Sequence, residues 1–231
     1  MAAFPQNVFV SENPAKALAE SLVTEIQFQR RFFLGVSGGQ TPRRLFEILA
    51  NEYRQKCDWG AVSMYQVDER RVDANHDQSN WKMIRDVLLF ALPEIHAYRI
   101  EVERPDAALV YEELLCETVP LSSKGIPELD CVLLGLGADG HTASLFPGSP
   151  ACDEKMRLVT EAPAPAGSYP RVTMTFPILE QARKRLFLVS CTDKADALRR
   201  VFTGCDLPAA RLAQVSTWFV DFAAAEKFKD G

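Results

Sequence analysis

The sequence predicts an α/β fold with a mainly parallel sheet flanked by helices. Two observations carry this expectation. Apolar strand-like runs alternate with amphipathic helical stretches over most of the length, and several of those runs read as strands buried on both faces. The 231 residues are long for one domain and short for two, so the whole chain, 1–231, is expected to form one domain.

In chain order, Arg31–Ser37 (RFFLGVS) reads as a buried strand followed by a helix from Pro42 to about Asn51. Ala61–Val67 is a second strand and roughly Ser79–Leu89 a helix. A helix around Asp106–Thr118 precedes the apolar strand Leu129–Leu134. Strands follow near Arg157–Thr160, Val172–Phe176 and Leu186–Ser190, then a helix from about Lys194 to Phe202, strand Ala213–Phe219, and a terminal helix after Asp221. The Pro- and Ala-rich stretch Glu161–Pro170 is read as a loop within one sheet rather than a linker, because enough strand-like chain follows it. In sheets of this kind ligands bind beyond the carboxyl ends of the strands, so the loops there are the place to seek chemistry.

Composition narrows the partners. A net charge of −5 argues against a general nucleic-acid binder or a polybasic membrane patch, so an anionic ligand would need arginines gathered locally. No apolar run is long enough to span a bilayer. The six cysteines are scattered without a C-x-x-C pair. Cys131 and Cys191 lie in apolar runs and are expected to be buried thiols. His76, His96 and His141 lack metal-ligand spacing, so no metal site is expected. Free thiols and an N-terminus without an export signal point to the cytoplasm.

Three motifs could carry chemistry. In Ser37-Gly38-Gly39-Gln40-Thr41-Pro42, Thr41 is a natural N-cap and Pro42 a natural first helical residue. The glycines would let backbone N–H groups point at a phosphate near the helix start, although a tight, well-capped turn has the same pattern. Gly35-Val36-Ser37-Gly38-Gly39 also satisfies the G-x-S-x-G nucleophile elbow. That elbow needs the helix to open at the serine, and Thr41-Pro42 opens it four residues later. The second motif, Asp68-Glu69-Arg70-Arg71, is either a set of substrate contacts at a strand end or a solvated charge run. In the third, strand Leu129–Leu134 enters a loop in which Asp139 and His141 stand two residues apart among glycines. Gly135, Gly137 and Gly140 match the dinucleotide fingerprint, but Pro147, Gly148 and Pro150 leave no room for the helix it requires. A histidine flanked by glycines and an acid at a strand end is well placed to act as a base.

Together these segments resemble the 6-phosphogluconolactonase family, within a superfamily that includes glucosamine-6-phosphate deaminase. The matching residues are SGGQTP (37–42), VDERRV (67–72) with Ser79-Asn80, LGLGADGHTASLFPGS (134–149) and Pro170–Thr175, in family order across nearly the whole chain. The resemblance implies a three-layer Rossmann-like fold and cofactor-free hydrolysis of a phosphorylated sugar lactone, 6-phosphoglucono-δ-lactone. It implies that His141 activates water with Asp139 in the same loop, and that Arg70 stabilises charge at the reacting centre. It also implies that Arg171, Lys194 and the loop of Ser37, Gly38, Gly39 and Thr41 hold the phosphate, with Asp68 among the substrate contacts. Two residues depart from the family pattern. Cys191 stands where a glycine often precedes the lysine, and Arg71 where many members have tryptophan.

A rival deaminase on the same fold would carry a glutamate five residues after the histidine, where this chain has Phe146. A non-enzymatic sugar-phosphate regulator is disfavoured because no helix-turn-helix has room before Arg31. A monomer or small homo-oligomer is expected.

Overall fold

Unbroken apolar runs become the middle of a sheet, because only there are both faces of a strand covered. In the computed structural model, which describes residues 5–163 and 167–230, Phe32–Val36 is such a run, with all five residues buried. The elements in order are β1 (Val8–Val10), α1 (Pro14–Gln27), β2 (Phe32–Val36), α2 (Gln40–Glu52), β3 (Val62–Gln66) and β4 (Asp68–Arg70). Next come α3 (Asn80–Ile84), continued by a π-helical turn over Arg85–Leu89, then β5 (His96–Tyr98), α4 (Ala107–Thr118), β6 (Cys131–Gly135) and β7 (Val159–Ala162). The chain closes with β8 (Arg171–Met174), α5 (Phe176–Gln181), β9 (Lys184–Val189), α6 (Ala195–Phe202), α7 (Pro208–Leu212) and β10 (Thr217–Val220).

Seven strands pair in the order β1-β10-β9-β6-β2-β3-β5, every pair parallel. Side-chain alternation divides the core between the two faces. Phe32, Leu34, Val36, Cys131 and Leu133 pack with the apolar stripes of α1 and α2. Phe33, Val132 and Leu134 face the other way, toward Tyr111 and Leu115 of α4 and Leu198 and Val201 of α6. The predicted α/β architecture with a mainly parallel sheet is therefore what forms. Beside it β4-β8-β7 make a small antiparallel sheet. Glu161–Pro170 falls at the β7–β8 connection of that sheet, with Ala162 pairing Arg171; its residues 164–166 lie outside the described residues.

Several elements differ from the sequence reading. The helix after β2 opens at Gln40, not at Pro42, and Thr41 is not its cap. Gly39 takes that position at φ +115°, a conformation glycine reaches without strain, and no side chain caps the helix. The expected strand Val172–Phe176 stops at Met174, and Phe176 instead opens α5, where Pro177 is tolerated near the helix start. Ala213–Val215 is a 3₁₀ turn, so β10 begins only at Thr217. The terminal helix after Asp221 is a 3₁₀ segment over Glu226–Asp230.

β1, α1, β4, β5, α5 and α7 are not among the elements expected from sequence. Yet α1 has clear signals: the Asn13 side chain accepts from Lys16 N, Pro14 follows it, and residues 15, 18, 19, 22, 23 and 26 make one buried stripe. Leu18, Leu22 and Ile26 are almost fully buried, each worth roughly 1.5–3 kcal/mol of transfer free energy.

The connections place the ligand site. From β2 the chain moves outward through β3 to β5, whereas β6 lies on the other flank of β2 and leads through β9 to β10. The direction of winding thus reverses between β2 and β6. Loops leaving such neighbouring strands separate to opposite faces and open a crevice at their carboxyl ends.

Candidate active site

A cleft of about 350 Å³ occupies that crevice. The carboxyl ends of four adjacent strands supply its walls. Ser37–Pro42 follow β2, Leu136 to Ala143 follow β6, Ser190 to Lys194 follow β9, and Asp68 and Arg70 lie just beyond β3. Arg171, at the start of β8, completes the lining. Ser37, Gly38, Gly39, Thr41, Asp68, Arg70, His141, Arg171 and Lys194 thus all line one cleft. Asp139 stands behind His141 rather than in the lining.

His141 and Asp139 form the most defined unit. Asp139 Oδ1 lies 2.6 Å from His141 Nδ1 and also accepts the His141 backbone N–H at 3.1 Å. The loop is closed by Gly137 N–H donating to His141 O at 2.8 Å. Gly137 has no side chain for a packing reason: a Cβ there would sit 2.0 Å from His141 Nδ1. Burial alone would raise the Asp139 carboxyl. The His141 backbone N–H, its charge and its ring hydrogen bond outweigh that and hold the group below the ordinary carboxylate range. An ionised Asp139 accepts at Nδ1, which places the imidazole proton there and leaves Nε2 as the proton acceptor.

The charge run Asp68-Glu69-Arg70-Arg71 is neither wholly solvated nor wholly functional, because strand alternation divides it. Asp68 and Arg70 fall on one face of β4, opposite Thr173 and Arg171 of β8. Glu69 is buried away from the cleft. Its Oε1 accepts from Arg70 N and Asn80 N, and its Oε2 from Gln66 Nε2, Ser79 Oγ and Trp81 N. The carboxylate thereby ties the end of β3 to the start of α3 and fixes the backbone that presents Arg70. Arg70 Nη1 donates to Gln78 O at 2.5 Å and to Asn80 Oδ1 at 3.2 Å. Arg71, the departure from the family pattern, points away and grips Glu161 of β7 and the carbonyls of Val102 and Arg104.

Arg70 and Arg171 are direct cross-strand partners, an arrangement of like charges that is unfavourable by itself. One carboxylate compensates. Asp68 Oδ2 lies 3.7 Å from Arg171 Nη1 and accepts from Ser144 Oγ at 2.6 Å. Ser144 N in turn donates to Thr173 Oγ1 at 3.2 Å. Burial pulls the Arg171 guanidinium down from its ordinary value; Asp68 opposes that pull and Arg70 adds to it. Among the described residues, Arg171 Nε and Ser37 Oγ are buried without hydrogen-bond partners. Two cations, one carboxylate and unmet donors at a cleft fit an anionic ligand.

Ser144 and Thr173 organise the site but were not among the expected site residues, whereas Glu69, part of the Asp68–Arg71 motif, supports the site from outside the cleft. Ser144 lies inside the Gly-His-Thr-Ala-Ser-Leu-Phe block, so its position was signalled although its partners were not. Lys194 reaches the cleft, its Nζ 2.9 Å from Asp193 Oδ2. Cys191 is exposed, not buried, because β9 ends at Val189 and the chain has already turned outward. Its backbone sits at φ +81°, ψ 150°, a region that favours glycine and gives a physical reason for the glycine often found there.

The nucleophile-elbow arrangement does not form. α2 opens three residues after Ser37, and the Ser37 hydroxyl has no base beside it. No helix opens at Gly140, so the dinucleotide arrangement does not form either. Among the described residues, no three His, Cys, Asp or Glu side chains group to hold a metal ion. No helix among them is long and apolar enough to cross a membrane.

Known proteins resemble this chain in sequence and in fold. A probable 6-phosphogluconolactonase of Arabidopsis thaliana is 36% identical over 99% of this chain and 94% of its own length. A 6-phosphogluconolactonase of Synechocystis is 35% identical over 85% of this chain and 84% of its own. The solved 6-phosphogluconolactonase of Trypanosoma brucei superposes with a TM-score of 0.85 at 27% identity, covering 97% of this chain and 99% of that one. A monomeric glucosamine-6-phosphate deaminase shares the fold at a TM-score of 0.77 and 19% identity. Residues 6–220 match the family described as glucosamine-6-phosphate isomerases/6-phosphogluconolactonase, and with that match, the parallel sheet and the cleft at its switch point, the chain belongs to this family.

Proposed function

We propose that the chain hydrolyses 6-phosphoglucono-δ-lactone to 6-phosphogluconate, with His141 as the base that activates water and no cofactor in the step. The observation that carries this reading is the 2.6 Å contact between Asp139 and His141 Nδ1 at a cleft that also presents Arg70, Arg171 and Lys194.

His141 Nε2 takes a proton from water as the oxygen attacks the lactone carbonyl carbon. The carbonyl oxygen becomes an oxyanion, which the Arg70 guanidinium or loop N–H groups stabilise. Collapse breaks the bond to the ring oxygen, which leaves as the sugar hydroxyl after taking the proton back from the imidazolium. Asp139 holds the ring in orientation and stabilises its charged form. Arg171, Lys194 and the Ser37–Thr41 loop grip the phosphate, so binding energy from a remote group orients the reacting carbon. Phe146, at the position where the deaminase has its glutamate, can neither accept a proton nor form an ion pair with an imidazolium. Free thiols favour a cytoplasmic setting.

The test generates the lactone with glucose-6-phosphate dehydrogenase and compares ring opening with and without the protein, since the lactone also opens unaided. Rapid hydrolysis is expected, with no ammonia from glucosamine-6-phosphate. His141→Ala should lower kcat about 10²–10⁴-fold while keeping affinity for 6-phosphogluconate. A rate no faster than buffer, clear ammonia release, or a near wild-type His141→Ala enzyme would overturn the reading.

A further inference from the structure

Phe146 stands five residues after His141, 8% exposed, where the loop after β6 meets β8. Its ring centroid lies 4.6 Å from that of the His141 imidazole, the planes inclined at 51°. The Arg171 guanidinium carbon lies 5.5 Å from the centroid of the same ring. One buried aromatic side chain therefore touches the group read as the base and a cation read as a phosphate ligand.

The polar partners of both groups leave this contact open. Arg171 reaches Asp68 and Ser144 through Nη1 and Ser168 through Nη2, while its buried Nε has no hydrogen-bond partner among the described residues. Among the described residues, the His141 ring is hydrogen-bonded only through Nδ1, to Asp139. Hydrogen bonds at one end fix a direction but allow pivoting, and a ring packed against the side limits the pivot. The backbone that carries the ring is held in place: the Phe146 carbonyl accepts from Ser149 N at 2.9 Å and from Cys152 Sγ at 3.0 Å, and neighbouring Leu145 is fully buried.

We propose that Phe146 is a positioning residue, an aromatic platform that sets the imidazole of His141 relative to the guanidinium of Arg171. The proposal rests on the lactonase reading above. In that reaction the phosphate and the lactone carbonyl belong to one rigid substrate. The separation of cation and base then determines whether the carbonyl carbon arrives where the activated water is. A platform shared by both groups holds that separation constant, and it places a face favourable to a cation beside Arg171.

The test compares Phe146→Leu, which removes the ring, with Phe146→Tyr, which keeps it, on 6-phosphogluconolactone and on unphosphorylated glucono-δ-lactone. Calorimetric titration with 6-phosphogluconate gives affinity without turnover. For Phe146→Leu, affinity should weaken and KM for the phosphorylated lactone should rise by about 2- to 30-fold, the range of a cation–aromatic contact. kcat should fall on both lactones, KM for the unphosphorylated one should hold, and Phe146→Tyr should restore wild-type behaviour. Phe146→Met, of similar volume without a ring, replaces the leucine variant if that melts below the assay temperature. The proposal is overturned if the ringless variant binds 6-phosphogluconate as wild type does. A loss of kcat alone, with every KM and the affinity unchanged, also overturns it, because that is the mark of a smaller folded fraction. Failure of Phe146→Tyr to restore binding counts against it equally. A wild-type protein that opens neither lactone faster than buffer refutes the lactonase reading, while the titration still decides whether Phe146 positions Arg171.

Discussion

Replacing Gly137 by alanine tests whether His141 must be held where the structure puts it. The added Cβ would lie 2.0 Å from His141 Nδ1, 2.3 Å from Cε1 and 2.6 Å from Asp139 Oδ1, whereas ordinary contact begins near 3.4 Å. The imidazole must therefore move by about 1.4 Å, and the 2.6 Å hydrogen bond to Asp139 cannot survive that shift. A misplacement of about 1 Å in a reacting group costs on the order of 10²-fold in rate, so kcat should fall by about that factor. Folding should suffer little. The His141 side chain is 29% exposed and has room to swing outward, and Gly137 is outside the left-handed region that would forbid alanine. Affinity for 6-phosphogluconate should persist, because Arg171 and Lys194 are untouched. The assay is the coupled lactone measurement with the unaided rate subtracted, accompanied by a melting curve. A Gly137→Ala enzyme that keeps kcat within about threefold of wild type would show that the Asp139–His141 geometry does not govern the chemical step.

Arg171→Ala and Lys194→Ala should each raise KM far more for the phosphorylated lactone than for glucono-δ-lactone, since only the former presents the anion; equal losses on both would contradict a phosphate role. Cys191→Gly should stabilise the protein. Its backbone conformation costs a non-glycine residue about 1–3 kcal/mol, and glycine returns only about 0.5–1 kcal/mol through the freer unfolded chain. The net gain of about 1 kcal/mol corresponds to a rise in Tm of roughly 2–4 °C, and a fall in Tm would mean that Cys191 is not strained.

The particular residues show where sequence reading reached and where it stopped. The parallel sheet was legible because apolar runs such as Phe32–Val36 and Cys131–Gly135 have no other stable home than a sheet covered on both faces. Asp139 and His141 were legible because two residues of separation on a glycine-rich loop already brings their side chains within reach. Local chemistry also marks α1, through Asn13-Pro14 and a 3.6-residue apolar stripe. Helix α2 shows the opposite case: a favourable cap at Thr41 yielded to a glycine turn two residues earlier, because the chain leaving β2 had to turn at once.

Other features depended on which strands lie side by side, and no local pattern encodes that. Asp68 and Arg171 are more than a hundred positions apart and meet only because β4 pairs antiparallel with β8. The same pairing decided that Asp68 and Arg70 face the cleft while Glu69 is buried and Arg71 turns to Glu161, a division invisible in four consecutive charged residues. Cys191 was misread because its exposure depends on where β9 ends, not on the apolar run before it. Phe146 gave the same kind of ambiguity, since an apolar residue in a loop signals burial but not its neighbours. By itself the sequence determined the buried central strands and the chemistry within single loops, because those follow from contacts a few residues apart. Only the tertiary structure decided how β2, β6, β9 and β4 converge, because pairing between distant strands depends on burying the shared core rather than on any one segment's preference.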